Sequence, residues 1–232
     1  MNDISTFQQA TGIHFKNEDL LRQAFTHRSY LNENPETNLQ HNERLEFLGD
    51  AVLELVVTES LYKNYPDKPE GELTTWRAAL VNARMLAIVA KDLKLGDYLL
   101  LSHGEARETG KARDYILANA TEALLGALYL DQGLKVCNKV IEQYVLNKLP
   151  QVLEEKLFED AKSQFQELAQ EKTGITPNYQ VLQEWGPDHE KHFRVGVTIG
   201  KDLIAEGEGT SKQEAEQEAA RVALEKQEKI WV

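Results

Sequence analysis

The chain has 232 residues, and its 26 Lys and Arg against 38 Asp and Glu give a formal net charge of −12 at pH 7. This length allows one or two domains with cores of their own, and we expect no membrane association because no apolar run reaches membrane-spanning length and the first residues lack a secretion-signal pattern. Cys137 is the only cysteine, which excludes an internal disulfide and fits a reducing cytoplasm. The acidic total argues weakly against nucleic-acid binding, which needs local Lys and Arg rather than a basic total.

The first forty residues predict two short helices and a loop. The residue pattern favours helices over residues 3–10 and 17–25. Residues 31–40 are polar and contain a proline, which is typical of a loop. The stretch THRSY at residues 26–30 contains His27, for which a structural role and a functional role are equally open.

An acidic stripe marks the next predicted helix, which covers residues 41–63. Glu43, Glu46 and Asp50 are spaced three and then four apart, so they share one helix face. Their repulsion opposes folding unless a cation lies between them, and Mg²⁺ takes carboxylate oxygens; a solvated acidic face is the alternative. Gly49 costs this helix roughly 1 kcal/mol and indicates close approach by another element. The apolar positions expected to be buried are Leu45, Leu48, Val52 and Leu55.

Helical periodicity continues towards residue 148, with polar interruptions. Residues 70–91 predict an amphipathic helix, and residues 102–114 predict a mobile polar loop. A further helix is predicted over residues 134–148. Residues 150–157 begin with a proline and continue with charged residues, which favours a linker, with a short helix as the alternative.

The strongly apolar residues 115–130 predict a central helix. Asn119 and Glu122 are its polar exceptions, and they face the same way because they are three apart. A buried carboxylate without a partner is costly, so Glu122 needs a cation or a hydrogen-bond donor. A metal ion shared with Glu46 and Asp50 would satisfy both acidic groups at once.

Beyond residue 157 the pattern changes from helical to alternating. Helices are predicted over residues 158–173 and from Ser211 to about Glu228. Between them, three runs alternate apolar and polar residues and are separated by turn residues, which predicts strands. The three runs are residues 179–185, 192–199 and 203–207. The predicted order is therefore helix, three strands, helix.

Two long stretches in the first part of the chain resemble the signature of the bacterial ribonuclease III family. They are HNERLEFLGDAVLELVV, which begins at His41, and YILANATEALLGALYLDQG, which begins at Tyr115. Further on, FQELAQ, GPDHEKHF and GEGTSKQEAEQEAA resemble the double-stranded RNA-binding domain. The resemblance covers essentially the whole chain. It implies an all-α endonuclease domain over residues 1–149, a linker over 150–157 and an α+β (α-β-β-β-α) RNA-binding domain over 158–230.

For the first domain, the resemblance implies Mg²⁺-dependent hydrolysis of phosphodiester bonds in double-stranded RNA, with Mn²⁺ as a substitute ion. The expected metal ligands are Glu46, Asp50, Asn119 and Glu122, and catalytic roles are expected for Glu43, Asp50 and Glu122. Glu43 lies about 10 Å along the helix axis from Asp50, at ~1.5 Å per residue. A place beside the scissile phosphate or at a second ion therefore suits Glu43 better than the same ion.

Asn119 departs from the family pattern, in which this position is usually Asp. An amide oxygen can ligate Mg²⁺, but it carries no charge and cannot act as a base. Three explanations are open. Asn119 is natural variation with activity retained, which the intact Glu46, Asp50 and Glu122 favour, or it is a substitution made to trap a complex, or the protein binds RNA and cuts it poorly.

The resemblance also implies a homodimer that cuts both strands of a duplex. Phe47 resembles the aromatic residue that packs across the dimer interface, and a plain core position is its alternative. The residues implied in RNA contact are Thr26, His27, Arg77, Asn82, Ser163, Gln166, Glu167, Gln170, His189, Ser211 and Lys212. The family often has adjacent basic residues where Lys212 is here followed by Gln213. We therefore predict weak, salt-tolerant RNA binding by the second domain, with avidity from the dimer.

The resemblance therefore implies a dimeric, cytoplasmic endoribonuclease that processes rRNA and mRNA precursors and leaves 5′-phosphate and 3′-hydroxyl ends. A double-stranded RNA-binding protein with weak or no cleavage is the alternative from another class. A metal-dependent phosphatase for small substrates is a weaker third hypothesis, because such substrates need no duplex-binding domain.

Overall fold

The computed structural model describes residues 4–154, 161–186 and 191–226, and the chain divides into two compact units, Met1–Phe158 and Glu159–Val232. The described part of the first unit is built from α-helices joined by loops and short 3₁₀ turns. These helices are α1 (Ile4–Thr11), α2 (Glu18–Ala24), α3 (Arg28–Glu33), α4 (Glu43–Asn64), α5 (Glu70–Val81), α6 (Ala83–Asp92), α7 (Gly110–Gln132), α8 (Leu134–Tyr144) and α9 (Leu149–Glu154). Among the described helices, none has both the length and the apolar character needed to cross a membrane.

Helices α4 and α7 lie at the centre of the first unit. Helix α7 is buried on most sides over residues 117–128, as its long apolar run predicted. At the edge of the same core, the rings of Phe7, Phe25 and Tyr98 lie with their centroids 5.1–5.9 Å apart. These ring contacts tie α1 and the end of α2 to the core and thereby hold the segment that leads into α3.

Two helix boundaries predicted from the sequence are wrong. The helix predicted over residues 70–91 is two helices, because the backbone of Asn82 is extended (φ −72°, ψ 159°) and its side chain caps α6. The loop predicted over residues 102–114 is shorter, because α7 begins at Gly110.

Part of the linker predicted over residues 150–157 is helical. Residues 150–154 belong to α9, whose Leu149 and Val152 are buried in the core of the first unit. This is the short helix that the sequence left as the alternative, while residues 155–157 lie outside the described residues.

The second unit has the predicted order of elements, and the two-domain fold class is confirmed. Its described elements are α10 (Ala161–Thr173), β1 (Asn178–Trp185), β2 (His192–Ile199), β3 (Asp202–Gly209) and α11 (Lys212–Glu225). The strands form one antiparallel sheet in the order β1-β2-β3. Helix α11 packs directly on β3, because a Cβ on Gly207 would lie 2.1 Å from the backbone nitrogen of Ala219. Phe165 of α10 and Val197 of β2 are buried in the same small core.

Candidate functional site

The acidic residues of α4 lie where that helix meets α7. A Cβ on Gly49 would stand 1.8 Å from the backbone oxygen of Glu122, and a Cβ on Gly126 would stand 2.1 Å from the backbone oxygen of Leu45. Neither distance is tolerable for a side chain, so the two helices approach closely only because both positions are glycine. The close approach predicted from Gly49 is confirmed, and it places Glu122 of α7 beside the acidic stripe of α4.

Three carboxylates act on one another electrostatically across this contact. Partial burial, followed by the negative charges of Asp50 and Glu46, raises the pKa of Glu122 from 4.5 to about 7. Burial, Glu43 and Asp50 likewise raise the pKa of Glu46. Within the described residues, no ion pair involves Glu46, Asp50 or Glu122. The site therefore holds negative charge that its protein surroundings do not neutralise.

The chemistry of the donors suits a hard divalent cation. Carboxylate and amide oxygens are the ligands that Mg²⁺ accepts, and Asn119 precedes Glu122 by one helical turn on α7. Asp50 is exposed, while Glu46, Asn119 and Glu122 are partly buried. In the part of the chain that the structure describes, no three His, Cys, Asp or Glu side chains are grouped closely enough to hold an ion as they stand. The residues fit such an ion by type and by electrostatics, and their side chains would need to rotate to ligate it.

Glu43 differs from Glu46 and Asp50, the other two acids of the stripe, because it has a cation beside it. Arg28 Nη1 lies 3.2 Å from Glu43 Oε1, and His41 Nδ1 lies 3.6 Å from Glu43 Oε2. Arg28 was not among the residues predicted to form the site. Its position within the THRSY stretch was the available signal, since Thr26 and His27 of that stretch were expected to contact RNA.

The THRSY stretch itself has mainly structural roles. Thr26 is fully buried, and its hydroxyl donates to the carbonyl of Arg22 at 2.7 Å. It cannot touch RNA without local unfolding, so the prediction of RNA contact by Thr26 is wrong. His27 is the N-cap of α3, where its Nδ1 accepts from the backbone N–H of Ser29. That geometry supports the structural role that was left open for His27.

Arg77 is partly buried and Asn82 is exposed, and both side chains already have partners within the protein. Arg77 Nη1 donates to Thr58 Oγ1 at 3.1 Å, and its Nε lies 3.8 Å from Glu54 Oε2. Asn82 Oδ1 accepts from the backbone N–H of Met85, and its Nδ2 donates to the carbonyl of Ala79. The amide oxygen of Asn82 is therefore already engaged in capping α6 and its nitrogen is bonded to α5, whereas the partners of Arg77 are weak surface contacts that RNA could replace.

A stripe of exposed apolar side chains runs along α4. Phe47, Leu55 and Tyr62 are 82%, 55% and 74% exposed. The prediction that Leu55 is buried is wrong, and so is the alternative that Phe47 is a plain core residue. The three residues are eight and seven positions apart, which keeps them on one face of the helix. Tyr62 also borders a cavity of about 630 Å³ whose other lining residues include Leu61, Tyr65, Leu73 and Arg77.

In the second unit, the residues implied in RNA contact fall in three places. Four exposed polar residues of α10 recur at helical spacing on one face, namely Ser163, Gln166, Glu167 and Gln170. Ser211 is the N-cap of α11, and its Oγ accepts from the backbone N–H of Glu214 at 3.2 Å. Lys212 is exposed at the same helix start. His189 lies outside the described residues.

Comparisons with known proteins agree with this division. Residues 17–149 match a family model described as ribonuclease-III-like, and residues 161–227 match the double-stranded RNA binding motif. Among solved structures, the nuclease domain of ribonuclease III from Campylobacter jejuni matches with a TM-score of 0.57 and 38% identity, covering 64% of this chain and 99% of that one. The description of that structure concerns flexibility in a region involved in dimer formation.

Relatives of full length match across both units. Ribonuclease 3 from Pelotomaculum thermopropionicum is 46% identical over 223 residues, which cover 96% of this chain and 92% of the relative. Ribonuclease 3 from Bacillus licheniformis is 44% identical over 223 residues, which cover 96% of this chain and 89% of the relative. The chain therefore belongs to the ribonuclease III family of endoribonucleases and carries that family's double-stranded RNA binding motif in its second unit.

Proposed function

We propose that this protein is a Mg²⁺-dependent endoribonuclease that hydrolyses phosphodiester bonds within double-stranded RNA. Members of its family generally use a divalent metal ion. The observation that carries the proposal is the approach of Glu46, Asp50 and Glu122 from two helices that interlock at Gly49. Three carboxylates so arranged repel one another in the metal-free protein and would be stabilised by a cation.

Glu46, Asp50, Asn119 and Glu122 are the residues that would hold Mg²⁺, or Mn²⁺ in its place. When bound, the ion would lower the pKa of a water molecule and screen charge on the phosphate. The exposed Asp50 presents its carboxylate to the solvent from which a duplex approaches. The partly buried Glu122 sits on a helix whose close approach to α4 leaves its backbone little freedom to shift, so only its side chain would have to rotate to reach an ion.

We assign Glu43 a place beside the scissile phosphate because of its ion pair with Arg28. The carboxylate of Glu43 holds the guanidinium of Arg28 at 3.2 Å, next to the start of the acidic stripe. A guanidinium can pair with two phosphate oxygens at once, whereas a carboxylate repels phosphate. In this assignment Glu43 is a positioning residue and Arg28 is the group that contacts RNA.

The second unit is proposed to read the shape of the duplex. Double-stranded RNA-binding domains contact successive minor grooves and the phosphates between them. The polar face of α10 suits a minor groove, because its amides, hydroxyls and carboxylate can bond to 2′-hydroxyls. The start of α11 suits phosphate, because free N–H groups and the helix dipole favour anions there and Lys212 adds a charge.

The exposed stripe of α4 supports a homodimer. Large exposed apolar side chains on one helix face mark an interaction surface, and a two-fold contact places the same surface on both copies. If two α4 helices cross antiparallel with Leu55 at the axis, Phe47 of one copy meets the region of Tyr62 on the other, where the cavity lies. Phe47→Asp should therefore convert a dimer into monomers in light scattering. Ile175→Asp, a change of an exposed apolar residue in the second unit, should leave the mass unchanged.

The products are proposed to carry 5′-phosphate and 3′-hydroxyl ends, and the substrates to be precursors of rRNA and mRNA in the cytoplasm. These assignments rest on the family. End-group labelling of the fragments would test the chemistry, and fragments with 3′-phosphate would contradict it.

The decisive experiment is cleavage of a labelled RNA duplex by the wild-type chain and by Asn119→Asp, with Mg²⁺ and with a chelator. Mg²⁺-dependent products from the wild type would support the proposal. Equal rates would show that the amide at position 119 is harmless, and a large gain in Asn119→Asp would mark it as an impairment. Intact duplex binding without products from either chain would favour the second candidate to which Asn119 points, an RNA-binding protein that does not cut.

A further inference from the structure

Two lysines at the start of α11 and β2 share a single carboxylate. Lys191 Nζ lies 3.1 Å from Glu184 Oε2, and Lys212 Nζ lies 3.5 Å from Glu184 Oε1. Both ammonium groups also lie over the ring of Phe193, at 5.9 Å and 5.7 Å from its centroid. Glu184 is at the end of β1, so three segments of the second unit bring these groups together.

This cluster is accessible to a ligand, and its acid is ionised at neutral pH. The side chains of Glu184, Lys191 and Lys212 are 37%, 40% and 59% exposed. Hydrogen bonding to Lys191, together with the positive charges of Lys191 and Lys212, lowers the pKa of Glu184. The carboxylate therefore cancels one of the two positive charges of the cluster throughout the physiological pH range.

The start of α11 carries further negative charge beside this cluster. Glu214 lies in the first turn, and its Oε2 accepts from both the backbone N–H and the hydroxyl of Thr210. Gln213, between Lys212 and Glu214, is uncharged. A helix start expected to bind phosphate is thus flanked by acids on both sides, and Lys212 approaches one of them.

We propose that Glu184 sets the affinity and the salt dependence of duplex binding by holding Lys191 and Lys212 in ion pairs that a phosphate must replace. This inference rests on the proposed function, which assigns the start of α11 to phosphate contact. A phosphate that pairs with Lys212 displaces its carboxylate partner and then lies close to it, so part of the attraction is lost to repulsion. Lysines already paired with a carboxylate also release fewer counterions on binding, which makes the affinity less sensitive to salt.

Glu184 could also have the opposite effect on RNA binding, since a carboxylate can hold lysines in place for a ligand. The two roles differ in the sign of one measurement. Exposed ion pairs restrain side chains only weakly, so Glu184→Gln should change the orientation of the two lysines little. The same substitution removes a negative charge next to a bound phosphate, which should have the larger effect on affinity. Removal of the charge should therefore tighten RNA binding if Glu184 restrains it, and should weaken binding if Glu184 positions the lysines.

The experiment measures binding of the full chain to a duplex of about 20 base pairs, long enough for one such domain, in chelator so that no cleavage occurs. Affinity is determined across a series of salt concentrations for the wild type, Glu184→Gln and Glu206→Gln. Glu206 is the matched control, because it is an exposed acid on β3, opposite Gly196, and none of the ion pairs among the described residues joins it to Lys191 or Lys212. We expect Glu184→Gln to bind about three- to tenfold more tightly at low salt, and the slope of log affinity against log salt to steepen by about one. Glu206→Gln should follow the wild type in both quantities.

A second set of variants shows whether the effect passes through the lysines. Lys212→Met should weaken binding, and the gain from Glu184→Gln should shrink when it is made in the Lys212→Met chain. Equal or weaker binding by Glu184→Gln, an equal gain in Glu206→Gln, or an undiminished gain without Lys212 would each overturn the inference. Failure of every chain, including the wild type, to bind the duplex would instead overturn the proposed function and this inference with it.

Discussion

A glutamate lies at the acidic contact of α4 and α7 and another lies in the lysine cluster at the start of α11, and their surroundings shift the carboxyl pKa in opposite directions. At the first, burial and neighbouring carboxylates raise the pKa of Glu122 to about 7. At the second, Lys191 and Lys212 lower the pKa of Glu184. The first arrangement lacks a cation among its described neighbours, whereas in the second the protein itself supplies the cations. A net charge of −12 therefore says little about ligands, because the partners of each acid decide what it attracts.

Glu122→Gln should give the largest effect on activity. The substitution keeps the shape of the side chain and removes the charge that a divalent ion requires, so we expect cleavage to fall by roughly 10²–10³-fold while duplex binding in chelator is unchanged. Glu142→Gln on α8 is a matched control, because Glu142 is exposed and outside the contact of α4 and α7. Cleavage near the wild-type rate in Glu122→Gln would remove this residue from the proposed metal site.

The same variant should stabilise the metal-free protein, with a defined dependence on pH. Glu122 has a higher pKa in the folded state, about 7, than its ordinary value of 4.5, so the folded state binds the proton more tightly. The free energy of unfolding therefore falls as pH rises from about 4.5 to about 7. Glu122→Gln lacks this loss, so it should exceed the wild type in stability at pH 8 and match it near pH 4.5, as measured by denaturant unfolding in chelator. Equal stability at both pH values would contradict the proposed repulsion.

Gly49→Ala should break the contact itself. A Cβ there would stand 1.8 Å from the backbone oxygen of Glu122, and backbone on both sides leaves nothing flexible to yield. We expect a destabilisation of about 3 kcal/mol or more, together with loss of cleavage. Gly71→Ala in α5 is the control, since a Cβ at Gly71 meets nothing within 4 Å, and it should stabilise its helix by about 0.5–1 kcal/mol. A well-folded and active Gly49→Ala chain would show that the helices can separate without consequence.

Local pattern sufficed for much of the fold and for the acids of the site. The spacing of Glu43, Glu46 and Asp50, and a glycine inside a strong helix, predicted both the stripe and the close approach at Gly49. Spacing could not show which face of α4 is buried, because α4 carries apolar residues on more than one face. Leu55 was therefore assigned to the core although it is 55% exposed.

Contacts between segments that are distant along the chain could not be predicted from the sequence. Glu43 is paired with Arg28, which comes from a different helix, and nothing in the spacing of α4 indicates that partner. Asparagine is an ordinary residue on a helix surface, so nothing in the sequence indicated a helix end at Asn82. Only the extended backbone of Asn82 and its hydrogen bonds to Ala79 and Met85 show that it separates α5 from α6. The pairing of Glu184 with two lysines likewise depends on the packing of α11 beside the sheet.

The smallest predicted effect concerns Ser211, which has one role in the structure and another implied by the family. Its hydroxyl caps α11 by accepting from the N–H of Glu214, so Ser211→Ala should cost the second unit about 1 kcal/mol, seen as faster hydrogen exchange in α11. Asn is an equally good cap, so Ser211→Asn should restore the exchange rates. If the hydroxyl acts only as a cap, RNA affinity returns with the stability in Ser211→Asn. Restored stability without restored affinity would show that Ser211 also contacts RNA directly, and the start of α11 would then bind the duplex through its cap as well as through Lys212.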